Sequence, residues 1–189
     1  MSGGGAFVAY PVDRVHRLVE PGPTLLVSTR GAGGPNLMTN GWNMPVRHGG
    51  LIGLVVGPWD HSFTALRETG ECVLGITGRA RLDAVVDVGN VSGADVDKWR
   101  AFAFTPLPAS VVGAPLVAEC FANIECRVVD DDLVDRYGLW IVEAVAAWLD
   151  EGQRGAGEVH HRGNGTFSVN GELVDLRERM IKWPEVVAD

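Results

Sequence analysis

The chain has 189 residues, 46% of them hydrophobic and 21% charged. That fits one domain with a proper core and excludes disorder of the whole chain. The net charge is −8, from 24 acidic and 16 basic residues, which argues against nucleic acid or an anionic membrane as partner but leaves room for a locally basic pocket.

No apolar run approaches the roughly 18 residues that a spanning helix needs. Cys72, Cys120 and Cys126 form a sparse, odd set without CxxC spacing, so a reducing cytoplasm fits better than a disulfide framework. Met1–Gly5 has neither the positive nor the apolar region of a secretory signal. Residues 1–10 are expected to form a flexible tail ahead of a single domain, 11–189. The 25 glycines exceed the average of about 7% and favour β structure with many tight turns.

In chain order, Val12–Val19 has helical spacing and is ended by Pro21 and Pro23. Thr24–Thr29 is β-branched and reads as a strand. A turn at Gly31–Pro35, an extended stretch at Asn36–Pro45 and an apolar strand at Leu51–Val56 complete a meander. After Gly57-Pro58, Asp60 or Ser62 can cap a short helix through Glu68, with Gly70 as its stop. Cys72–Thr77 is a strand and Ala80–Val91 a helix. Ser92–Asp95 fits a capping box before a helix reaching about Phe102, and Pro106 and Pro108 force extended chain.

Cys120–Val128 alternates as a half-buried strand does, with Cys120, Ala122, Ile124, Cys126 and Val128 on the apolar face. Asp130–Asp132 reads as a solvated loop. Tyr137–Leu149 is expected as a strand with Trp140, Val142, Ala144, Ala146 and Trp148 on one face. A hairpin is expected to follow, with Thr166–Val169 turning at Asn170-Gly171 and returning through Leu173–Leu176. Six or seven antiparallel strands with short helices between them predict a closed or nearly closed β-barrel.

Two stretches have the chemistry of a site. Pro58–Thr64 lies where a strand gives way to a helix, whose first turn offers unpaired N–H groups and partial positive charge to a phosphate. His61, Ser62 and Thr64 can add donors there, although a plain helix cap would use the same residues. Asn36–Met44 mixes amides, a hydroxyl, an indole and a glycine along extended chain. Such a stretch can pair with the edge of a planar heterocycle, with Gly41 allowing close approach and Trp42 packing near a ring. An edge strand with Met38 and Trp42 in the core would also fit these residues.

Other chemistries find little support. His160 and His161 point to opposite faces if they lie in a strand, so they cannot share a metal, and no HExxH or Cys/His cluster exists. Cys120 and Cys126 stand about 20 Å apart along one straight strand, which rules out a mutual disulfide. There is no GxSxG and no paired Cys/His signature, and the glycine-rich stretches do not match phosphate loops.

The order of these segments resembles the flavin reductase-like family with the FMN-binding split barrel, including its flavoredoxin-type members. The resemblance is carried by Pro35–Trp42, by His61-Ser62-Phe63 and by Thr69-Gly70-Glu71-Cys72, where Cys72 replaces the usual aromatic. It continues through Phe104–Pro108, Ala114–Cys120, His161–Val169 and Asp175-Leu176-Arg177.

This resemblance implies a mainly β, antiparallel split barrel of Greek-key type with short peripheral helices, binding FMN as a homodimer with the flavin near the subunit interface. The flavin phosphate would sit by His61, Ser62 and Thr64, next to Phe63. The isoalloxazine would lie along Asn36 and Met38–Trp42 (Met38, Thr39, Asn40, Gly41 and Trp42), with Gly57 and Pro58 closing one side. His161 and Arg162 could reach the ring or a nicotinamide from the far hairpin. NADH or NADPH would deliver hydride, and no side chain need be catalytic. The alternatives are a tight FMN carrier passing electrons to a partner protein and a scaffold that has lost its flavin.

Overall fold

The computed structural model describes residues 7–15, 22–153, 157–163, 165–176 and 179. Its strands are β1 (Val8–Ala9), β2 (Leu25–Gly31), β3 (Gly34–Asn40), β4 (Asn43–Arg47), β5 (Leu51–Val55) and β6 (Glu71–Ile76). Then come β7 (Pro106–Leu107), β8 (Leu116–Val117), β9 (Ala122–Asp130), β10 (Leu139–Leu149), β11 (Val159–Gly163) and β12 (Thr166–Val169). The helices are α1 (Ser62–Thr69), α2 (Leu82–Asn90), α3 (Lys98–Ala101) and α4 (Val134–Tyr137).

One eight-stranded antiparallel sheet dominates, in the order β3-β2-β6-β9-β10-β5-β4, with β1 added on β10. β3 and β4 lie at opposite ends of that path, yet only Gly41-Trp42 separates them in sequence. The three steps from Asn40 to Asn43 reach only about 10 Å. The sheet must therefore curl until its ends nearly meet, as the predicted barrel requires, and the split falls at Gly41-Trp42. Leu25, Val27, Ile52, Leu54, Leu74, Ile76, Ile124 and Trp140 fill the interior. A second cluster, with Leu26, Leu37, Val85, Val88 and Trp99, lies under α2 and α3. Strand β2 is thus covered on both faces, which explains its unbroken apolar run.

Several expectations are corrected. Within Val12–Val19 the described part is a single 3-10 turn at Val12–Arg14, and residues 16–21 lie outside the described residues. Val8–Ala9, expected to belong to a loose tail, pairs with Leu149 and Trp148 of β10. Asn36–Pro45 is broken at the Gly41-Trp42 corner. Ser92 makes only a turn, and the helix that follows is the four-residue α3, capped by Asp97 through the Arg100 amide.

β9 is buried on both faces from Ala122 to Cys126, because the excursion containing β7 and β8 covers its polar side. In β10 a bulge lies between Ala144 and Ala146. One extra residue shifts the alternation, so Ala147 and Leu149 face the core in place of Ala146 and Trp148. The C-terminal hairpin pairs β12 with β11, before it in sequence, whereas residues 171–176 form no strand. The hairpin therefore reverses between Gly163 and Thr166 and not at Asn170-Gly171.

Candidate functional site

A cavity of about 200 Å³ opens at the split, lined by Met38, Thr39, Asn40, Gly41, Trp42, Val55, Trp59, Asp60 and His161. Hydrogen bonds from one side chain hold its floor. Asn40 Nδ2 donates to the Val55 carbonyl at 2.7 Å, and Asn40 Oδ1 accepts from the Trp42 amide at 2.9 Å. The Val55 amide in turn donates to the Trp42 carbonyl. The Thr39 hydroxyl donates to the Val85 carbonyl, which ties β3 to α2.

Two indoles flank this opening, with Trp42 68% and Trp59 75% exposed. Trp59 lies across the backbone of Gly57, where a Cβ would come within 2.3 Å of its ring. The Asp60 carboxylate accepts from the Gly57 amide and fixes this turn. His161 closes the far side, its ring against Phe167 at 5.0 Å between centroids. His160 points the other way, with its Nδ1 3.2 Å from the Gly22 carbonyl, as adjacent residues of a strand must.

A second cavity of about 180 Å³ lies along the same strand, between the Gly31–Pro35 hairpin tip and α1, and Asn36, His61, Thr64, Ala65, Glu68 and Gly93 also line it. No side chain caps α1, whose N-cap residue is His61. Neither Asp60 nor Ser62 caps as expected. Asp60 turns back to Gly57, and the buried Ser62 hydroxyl accepts from Asn36 Nδ2 at 2.9 Å. The Phe63 amide donates to the Asp60 carbonyl, and with no side-chain cap the remaining amides of the first turn of α1 are left for an anion. Gly70 stops the helix with φ +65°.

Of the residues expected to contact a ligand, Met38, Thr39, Asn40, Gly41, Trp42 and His161 meet at the first cavity. Asn36, His61 and Thr64 meet at the second. Ser62 lies behind the second cavity as support for Asn36. Gly57 and Pro58 line neither cavity, because Trp59 covers Gly57. Phe63 also lies outside both, packed edge-on to Trp140 with ring centroids 5.7 Å apart.

The family model for the flavin reductase like domain matches residues 17–168. The chain belongs to the flavin reductase-like family. An uncharacterized Escherichia coli protein, YddH, is 29% identical over 89% of this chain and 97% of its own length. Among solved structures, an FMN-binding domain of a flavin reductases-like enzyme from Shewanella baltica superposes with a TM-score of 0.83, at 24% identity, covering 90% of this chain and 97% of that one. Flavoredoxin from Desulfovibrio vulgaris gives a TM-score of 0.73 at 22% identity, over 93% and 95% of the two chains. Both likenesses bear on the fold, a split barrel.

Within this family frame the structure adds residues that sequence reasoning missed. Val55, Trp59 and Asp60 join the first cavity, and Glu68 and Gly93 the second. Lys98 is 5% exposed, and its ammonium donates to the Val88 carbonyl at 2.9 Å. Burial lowers its pKa below the usual lysine value, partly offset by the charge of Asp60. A lysine between two acidic or apolar neighbours carries no local sign of such burial. The turn at Ser92–Asp95 brings Gly93 to the second cavity: a Cβ there would fall 2.1 Å from Asn36 Oδ1 and 2.7 Å from the His61 ring. Among the described residues, no group of His, Cys, Asp and Glu could hold a metal, and no helix is long and apolar enough to cross a membrane.

Proposed function

We propose that this chain binds FMN and works as an NAD(P)H-dependent flavin reductase. The observation that carries the reading is the pair of cavities along one strand. One is walled by indoles and amides and suits a flat ring. The other lies at an open helix start and suits a phosphate. The two families of contacts are those a ligand with a ring at one end and an anion at the other would need. Family membership supports the same assignment.

Bound there, FMN would supply the hydride and electron chemistry. The chain's own residues bind and orient. Asn40 keeps the Trp42 corner and the Val55 edge in register, so the first cavity keeps its shape. Ser62 turns the Asn36 amide toward α1. His61 and Thr64 offer side-chain donors beside the amides of the first turn. Lys98, buried with its ammonium on the Val88 carbonyl, lies within electrostatic reach of Asp60, which lines the first cavity. Trp42 and Trp59 exclude water from the ring's surroundings, and no side chain has the task of a catalytic acid or base.

We also propose a homodimer, supported by the exposed apolar row beside the cleft: Trp42, Met44, Val46 and Trp59. A reducing cytoplasm fits the three buried free thiols.

The test is a visible absorption spectrum after FMN is added and excess removed, followed by NADH and NADPH oxidation with free flavin present. A flavin band and pyridine nucleotide turnover are expected. His61→Ala is expected to weaken FMN severalfold while leaving riboflavin, which lacks the phosphate, unaffected. Absence of any flavin binding would overturn the assignment. A retained flavin without nicotinamide oxidation would favour an electron carrier.

A further inference from the structure

Away from the cleft, two nucleophilic side chains face each other. In the antiparallel register of β6 and β9, Cys72 lies directly opposite Cys126. Direct partners across two strands turn their side chains to the same face. Here that face is the barrel interior, where both thiols are free and 0% exposed, in one cluster with Val27, Leu66, Leu74 and Ile124. Residues opposed in this way have Cα atoms about 4.5–5.5 Å apart. A disulfide accepts about 4.4–6.8 Å, so the two can be bridged with the strands in place.

Strand β2 adds a third group to the row. Its pairing with β6 sets Ser28 against Val73, and one step along the same register puts Thr29 beside Cys72. The Thr29 hydroxyl is fully buried and has no hydrogen-bond partner among the described residues. It leaves a free donor next to the thiols. Cys120 provides the contrast. It is as deeply buried, at 1% exposure, but belongs to the second cluster, with its Sγ packed against Gly75.

We propose that Cys72 and Cys126 form a reversible redox site, which hydrogen peroxide closes to a disulfide with the help of the Thr29 hydroxyl. The inference does not depend on the flavin reading. The thiolate of one cysteine attacks peroxide. An S–O bond forms, the O–O bond breaks, and the departing hydroxide takes up the thiol proton and leaves as water. The second thiol then attacks the sulfenic sulfur. The S–S bond forms, the S–O bond breaks, and a second water leaves. The two thiols have given up two electrons and two protons, and peroxide has become two waters. Thr29 donates to the thiolate and then to the sulfenic oxygen. Burial, and after it the neighbouring Cys72, raises the Cys126 thiol well above its usual value. Closure is therefore slow, and it answers sustained rather than brief exposure.

The experiment treats the folded, reduced protein with hydrogen peroxide, then counts free thiols in denaturant and maps the modified peptides. The three thiols are expected to fall to one, Cys120, with the other two joined to each other and restored by dithiothreitol. The bridge closes a loop of about 55 residues in the unfolded chain, so the oxidised protein should melt several degrees higher. Thr29→Val keeps the shape of the side chain and removes an unsatisfied hydroxyl, so the fold should be unharmed, while closure slows severalfold. Cys120 reports unfolding, because peroxide acting through an opened chain would modify all three cysteines alike. Three free thiols after exposure, oxidation of Cys120 at the same rate, or a bridge that includes Cys120 would overturn the site. An unchanged rate in Thr29→Val would remove the hydroxyl from it.

Discussion

Glu125 is a fully buried carboxylate surrounded by five donors. Its oxygens accept from the Ser110 amide and hydroxyl, the Val111 and Val112 amides, and Trp148 Nε1, at 2.7–3.1 Å. Burial alone would raise its pKa, but these hydrogen bonds outweigh it and hold the group below the usual carboxylate value. A depressed folded pKa stabilises the protein above the unfolded value and loses that contribution as pH falls through the folded one. Glu125→Gln is expected to cost about 3 kcal/mol at neutral pH, since a charged acceptor of several bonds is lost. The gap between the two proteins should narrow below about pH 4.5. Thermal melts at pH 7 and pH 3.5 check both statements, and an equal gap at the two values would remove the electrostatic account. Lys98 is a buried cation, and among the described residues its ammonium has a single hydrogen-bond partner, the Val88 carbonyl. If its charge serves the phosphate, Lys98→Met should weaken FMN about tenfold and leave riboflavin unchanged, the size of one charge-assisted contact. Equal loss for both would mean that the lysine only shapes the fold.

Strands β9 and β10 show how far a local pattern reaches. Their existence and approximate extent were legible, because period-two alternation and length survive in the sequence, whereas their pairing is seen only in the structure. The phase of β10 beyond Ala144 was not, since one bulged residue reverses it and alanines on either side give no contrast. The burial of Asn123 and Glu125 was equally hidden. It depends on a segment returning from β7 and β8, with Asn123 closing both hydrogen-bonding groups of Val117. In the site, residues on β3 were legible as an amide-rich stretch, while the placement of Trp59 over Gly57 depends on a turn that packing decides. The Gly57–Asp60 turn can be tested as an element. Gly57→Ala would place a Cβ within 2.3 Å of the Trp59 ring, but that indole is 75% exposed and free to swing aside. The melt should move by less than about 1 kcal/mol, while riboflavin affinity falls severalfold as the cleft loses a wall. Unchanged riboflavin binding would take Trp59 out of the ring site.

At the scale of the molecule, the split that makes the cleft also leaves an edge. β4 ends the sheet, and it carries Met44 at 52% and Val46 at 45% exposure, next to the exposed Trp42. An apolar sheet edge left in water invites pairing or aggregation, so folds cover it or charge it. Here neither lysine nor proline blocks the outward positions of Met44 and Val46, although Pro45 lies between them. A second copy covering this edge would bury four apolar side chains and close the mouth of the flavin cleft at once. Light scattering should then give a mass about twice the 20.2 kDa of one chain. Met44→Lys with Val46→Lys should reduce it to a single chain, because two opposed pairs of lysines would have to be desolvated together. Neither residue lines a cavity. A fall in FMN affinity in the monomeric variant would therefore come from the loss of the partner, and would tie flavin binding to assembly. A wild-type protein that remains a single chain at micromolar concentration would end the dimer proposal. The exposed edge and the two indoles would then have to be read as a docking face for a different partner.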